Sequence, residues 1–132
     1  MRYYPTKSIS LAHVESFLER LRTDRGETLD LLVVDYFDLL KMMGSYKNRW
    51  EALEENCEML RVLAGLYDMA IWTAGQTRRD GIGKEIVDQD DVSASFGKVF
   101  PLDVLVTMSR TREQRLKKVM QLHLAKNRLG PS

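Results

Sequence analysis

Two stretches of the chain end in residues whose types suit chemistry. In Leu31-Leu32-Val33-Val34-Asp35 an uninterrupted apolar run meets a carboxylate. Such a run suits a strand buried on both faces of a parallel sheet. Ligands of open α/β sheets sit beyond the carboxyl ends of the strands, so Asp35 stands where a metal ion or a phosphate is handled. The second run, Ala70-Ile71-Trp72-Thr73-Ala74, leads into Gly75-Gln76. A glutamine amide both donates and accepts hydrogen bonds, and on the same rim as Asp35 it completes a nucleotide-handling arrangement. Alone, Gln76 can equally cap the loop that follows.

Cations cluster after each run. Lys47 and Arg49 follow the first, and Arg78, Arg79 and Lys84 follow the second. The polar, glycine-bearing stretch of residues 77–101 has no strong periodicity, and such lengths are uncommon in compact domains unless functional. Lys126 and Arg128, near the C-terminus, read in isolation as edge-strand charges that discourage aggregation. Asp88, Asp90 and Asp91 fit a solvated loop or a helix start better than a cation site. His13 and His123 form no metal pattern. Cys57 falls on an apolar helical stripe and reads as core filling, and Trp50 and Trp72 are expected in or near the core.

The elements that must position these residues follow from periodicity. Residues 2–7, ending near Pro5, suit the tail of an edge strand. Ser10 is a helix N-cap, with Leu11, Val14, Phe17, Leu18 and Leu21 on one face and Gly26 as terminator. Ile9 and Val14 suit a hydrophobic staple. A strand at residues 31–35 precedes a helix at about 50–67 whose stripe is Leu53, Cys57, Leu60, Ala64 and Tyr67. A strand at 70–74 and a short helix near 92–98 come next. Strands at 102–108 and 119–125 close the chain, joined by a charged turn short enough to make them antiparallel neighbours. The expected class is α/β, a mostly parallel sheet flanked by helices with a C-terminal antiparallel hairpin strand.

Composition narrows the function classes. Among 132 residues, Lys+Arg number 20 and Asp+Glu 19, so bulk charge neither demands nor excludes nucleic acid. One cysteine allows no intrachain disulfide and no cysteine cluster for zinc, which suits a reducing compartment. No stretch approaches the roughly 20 apolar residues of a membrane span, and no signal-peptide core precedes the first helix. A cytoplasmic protein without a membrane partner is expected.

Three blocks, in order and approximate spacing, resemble the hexameric replicative DNA helicases of the DnaB type, especially their phage versions. They are Leu32-Val33-Val34-Asp35-Tyr36 with Asp38-Leu39-Leu40, then Trp72-Thr73-Ala74-Gly75-Gln76-Thr77, then Ala125-Lys126-Asn127-Arg128-Leu129-Gly130-Pro131. The resemblance covers nearly the whole chain and implies part of a RecA-like ATPase domain. Asp35 then matches the Walker B aspartate that holds Mg²⁺ on ATP, usually through water. Gln76 matches the glutamine that senses the γ-phosphate, and Lys126 and Arg128 match a basic pair reaching a neighbour's ATP, with Arg128 the arginine finger. Two residues apart on a strand, both would point to one face. Lys47, Arg49, Arg78, Arg79 and Lys84 lie in loops matching those that grip single-stranded DNA. The implied partners are single-stranded DNA, other copies in a hexameric ring, and a primase or helicase loader, in a bacterial cell or a phage-infected host.

The chain departs from that pattern in one respect: no Gly-x-x-x-x-Gly-Lys-[Ser/Thr] occurs in it. The phosphate-cradling loop has no counterpart, nor does the family's catalytic glutamate. The expectation is the C-terminal portion of a helicase ATPase domain, unable to hydrolyse ATP alone and prone to self-association through an exposed strand. The competing reading is a non-enzymatic RecA-like remnant that binds DNA or a helicase ring. A phosphorylation receiver domain, suggested by Asp35, Thr73-Ala74 and Lys126, fails on spacing, since Lys126 lies 53 residues after Thr73.

Overall fold

The computed structural model describes residues 5, 7–42, 44–76, 84–92, 99 and 101–130, the side chains of residues 49, 50 and 90 excepted. Helix α1 (Leu11–Arg25) begins where Ser10 turns extended backbone into helix. His13 occupies the third helical position, usually held by Glu or Gln in a capping box. Its Nδ1 lies 2.8 Å from Ser10 Oγ and accepts from the Ser10 N–H at 3.4 Å. Gly26, at φ +65°, ends the helix, and Glu27 N–H donates to the Leu21 carbonyl at 3.1 Å. Only glycine takes this left-handed turn without a Cβ penalty.

Strand β1 (Leu31–Val34) pairs in parallel with β2 (Ala70–Thr73), and α2 (Arg49–Leu66) makes the connection between them. Asn48 and Glu51 start α2 by mutual capping. Glu51 N–H donates to Asn48 Oδ1 at 3.0 Å, while the Glu51 carboxylate accepts from Asn48 Nδ2 at 2.9 Å and Lys47 N–H at 3.2 Å. Leu11, Leu18, Phe37, Leu53, Cys57, Leu60, Leu63 and Met69 form the core, with Leu32, Val34 and Ile71 packed against it. Cys57 is therefore the core filler expected of it.

The strands are not buried on both faces. Leu32, Val34 and Ile71 point to the core, whereas Leu31 is 50%, Val33 64% and Trp72 71% exposed. Val33 and Trp72 are cross-strand partners on that outer face. Trp72 thus lies outside the core, contrary to its sequence reading, because strand alternation gives every second residue of an apolar run to the other face. Phe17, on the expected α1 stripe, is also 47% exposed. The Trp50 side chain lies outside the described residues.

This unit comprises Met1–Gly75, and a second spans Gln76–Ser132. The second contains α3 (Gln89–Val92), β3 (Val104–Ser109), α4 (Arg112–Leu116) and β4 (Gln121–Asn127). The helix expected near 92–98 falls mainly outside the described residues. Strands β3 and β4 are antiparallel, as the short connection requires, so the described strands form one parallel and one antiparallel pair. The hairpin turn is organised by a second capping box. Thr111 Oγ1 accepts from Gln114 N–H (3.2 Å), and Gln114 Oε1 accepts from Thr111 N–H (2.8 Å).

The hairpin's faces are unlike. Val104, Val106, Met108, Leu122 and Leu124 are on the exposed one, and Thr107 and Ser109 are buried on the other. Thr107 Oγ1 donates to the Val87 carbonyl, and Ser109 Oγ donates to the Glu85 carbonyl at 2.5 Å. Register shifts once, with Leu105 opposite Lys126 and Val106 opposite Leu124. Ala125 is the extra residue of a β-bulge.

Of the N-terminal residues 2–7, expected as an edge strand, only Pro5 and Lys7 are described, and neither is in a strand. Lys7 N–H donates to the Leu39 carbonyl (3.1 Å) and Lys41 N–H to the Ile9 carbonyl (2.7 Å), so the segment entering α1 is tied to the one leaving β1.

Candidate functional site

Parallel pairing puts the carboxyl ends of β1 and β2 on one edge, with Val34 opposite Thr73. Asp35 is exposed in the turn just beyond Val34. Two contacts hold this edge together. Thr73 Oγ1 donates to the Val34 carbonyl at 2.8 Å, one residue before Asp35. The buried Phe37 ring lies so close to Gly75 that a Cβ there would meet its Cε1 at 3.1 Å, one residue before Gln76. The edge is thus fixed on both sides of its polar residues. Asp38, in the 3₁₀ turn Phe37–Leu39, is a second carboxylate on this rim and only 8% exposed. Sequence reasoning passed over it, because nothing in an apolar-run signal marks the residue three positions later.

An exposed aspartate at a strand end suits Mg²⁺, which keeps most of its water and takes few protein ligands. Among the described residues no group of three or more His, Cys, Asp or Glu side chains gathers to hold a metal. The donor set fits a hydrated ion shared with phosphates rather than a closed protein cage.

The remaining candidates divide between the units. Lys47 is exposed just before α2, and Arg49 is the first residue of that helix. Arg78 and Arg79 lie outside the described residues. Lys84 Nζ is 2.6 Å from Asp91 Oδ1. That ammonium, with the Asp88 N–H on the other oxygen at 3.2 Å, holds the Asp91 carboxyl below the usual aspartate range. Exposed Gln76 directly follows Gly75.

Lys126 and Arg128 both engage the segment before β3. Lys126 Nζ donates to the Val99 carbonyl at 2.7 Å. Arg128 N–H donates to the Asp103 carbonyl at 2.8 Å, and its guanidinium lies 3.4 Å from the Asp103 carboxylate. These side chains are 44% and 51% exposed, so water screens the ion pair and little is lost by giving it up. Arg128 lies beyond the end of β4, so strand alternation does not align it with Lys126.

Comparison with known proteins accounts for this arrangement. The chain is 23% identical over 133 aligned residues to the DnaB-like replicative helicase of Enterobacteria phage T4, an alignment spanning 98% of the chain and 28% of that protein. This chain is related to the DnaB-type replicative helicases. A solved helicase ATPase domain superposes with a TM-score of 0.76 at 17% identity, over 93% of the chain and 45% of that domain. A DnaB-like replicative helicase, solved to describe its interactions with primase, gives the same score and identity over 31% of its length. The fold is accordingly α/β and RecA-like, a partial DnaB-type ATPase domain spanning less than half of the relatives it matches. No family profile matches the chain. Among the described residues no helix is long and apolar enough to cross a membrane.

Proposed function

We propose that the chain contributes the second half of a DnaB-type helicase motor. Asp35 holds the Mg²⁺ of ATP, Gln76 reads the γ-phosphate, and Lys126 and Arg128 act on a neighbouring subunit's nucleotide with Arg128 as the finger. Lys47, Arg49, Arg78, Arg79 and Lys84 contact single-stranded DNA. The observation that carries this reading is the parallel pairing of β1 with β2, which delivers Asp35 and the chain leading into Gln76 to one strand edge. Ligands of open α/β sheets are bound at such an edge. The 23% likeness to the phage T4 helicase along 98% of the chain supports it further.

In this assignment ATP and Mg²⁺ are bound only once a phosphate-cradling loop is supplied, since the sequence contains none. Such assemblies work as rings, and a primase or loader is the expected protein partner. The absent loop also favours the second reading, a non-enzymatic module that docks on DNA or on a helicase ring.

One experiment separates them: ATP hydrolysis by the chain alone, and after joining it to a half that carries the loop. The motor reading expects no activity alone, DNA-stimulated activity when joined, and a drop of about a thousandfold or more in the joined protein carrying Arg128→Ala, the order of an arginine finger's contribution. Inactivity of the joined protein, or full activity of the Arg128→Ala variant, overturns it.

A further inference from the structure

The turn of the β3–β4 hairpin carries charge that the motor reading does not use. Arg110, Arg112, Arg115, Lys117 and Lys118 fall within nine residues of a chain whose net charge is only +1. All five are exposed. The one anion among them, Glu113, is taken by Lys117 at 2.5 Å. Among the described residues Arg110, Arg112, Arg115 and Lys118 make no ion pair.

The cations sit on an ordered support. The Thr111–Gln114 capping box fixes the turn, and Gln114 Nε2 donates across it to Gln121 Oε1 at 3.4 Å. Lys118 adopts φ +56°, a left-handed conformation that favours glycine or asparagine. The sequence places a cation there instead.

We propose that this tip, residues 110–118, binds the phosphate backbone of nucleic acid. Guanidinium forks match phosphate geometry, and clustered cations without a free anion gain affinity by releasing counterions from a polyphosphate. Nucleic acid, rather than an acidic protein or anionic lipid, is chosen on the motor reading, and on that alone. The residues of the tip are distinct from those assigned there to DNA.

The test is the affinity of the intact chain for a labelled oligothymidine and a labelled duplex across a salt series. The variant combining Arg112→Gln, Arg115→Gln and Lys118→Asn keeps a residue suited to the left-handed position. It is expected to weaken binding and to flatten the log–log salt slope by about 2 to 3. Arg112→Lys with Arg115→Lys conserves charge and keeps the slope, and a loss equal to that of the neutral variant overturns the proposal. So does an unchanged slope in the neutral variant, or binding of the parent chain to anionic vesicles or polyglutamate but to neither oligonucleotide. A slope that falls as expected, together with an inactive joined protein, supports the tip while rejecting the motor reading.

Discussion

At the scale of single residues, the partners of the charged side chains decide what each can do. Lys84 sits on Asp91, so its availability to DNA depends on that carboxylate. Because the folded Asp91 titrates below its ordinary value of 3.8, the pair stabilises the 84–92 segment above that value. The contribution is lost as pH falls through the lower folded value. Amide exchange at Asp88, whose N–H bonds Asp91, is expected to accelerate there in NMR-detected exchange, and Asp91→Asn to remove the acid dependence. Arg128 is held by an exposed ion pair and Lys126 by a half-buried carbonyl bond, so the arginine is the easier of the two to redirect. Of the candidate site, Asp35 and Gln76 were legible as polar ends of apolar runs. Asp38, the Asp91–Lys84 pair and the partners of Lys126 and Arg128 were not, because each depends on residues brought together only by folding.

At the scale of elements, helix limits were readable where a single residue sets them. Ser10 and Gly26 bracket α1 as their chemistry requires. The spacing of Asn48 to Glu51 and of Thr111 to Gln114 carries a capping signal too, which a reading centred on apolar periodicity overlooks. Which face of a strand is covered was not readable, since an apolar run has the same sequence whichever side it packs. The difference has measurable weight. Leu53, 2% exposed on α2, is expected to lose about 2–5 kcal/mol on substitution by alanine. Leu31→Ala, at a half-exposed position, should cost far less. Denaturant unfolding of both variants checks the contrast, and equal losses would contradict this account of β1.

At the scale of the whole molecule, the apolar surface left open is the main physical fact. One unit exposes Leu31, Val33 and Trp72, and the other exposes Val104, Val106, Met108, Leu122 and Leu124. Contiguous apolar faces of this kind mark interaction surfaces. Self-association at high concentration is therefore expected in light scattering, and Trp72→Ser should weaken it. A clean monomer across the accessible concentration range would contradict the prediction. The fold class itself was accessible from the order of runs and stripes, because connection length alone distinguishes the parallel crossover through α2 from the antiparallel hairpin.

Ala125 acts on Lys126 as a change of parity. Counted along an unbroken strand, Lys126 would fall on the side of Leu122 and Leu124, among aliphatic neighbours. The added position reverses odd and even, and the ammonium emerges beside Leu105, where it meets the Val99 carbonyl. The address of this lysine is thus written in chain length, not in side-chain chemistry. A deletion at position 125 would send an unaltered Lys126 to the wrong side of the hairpin.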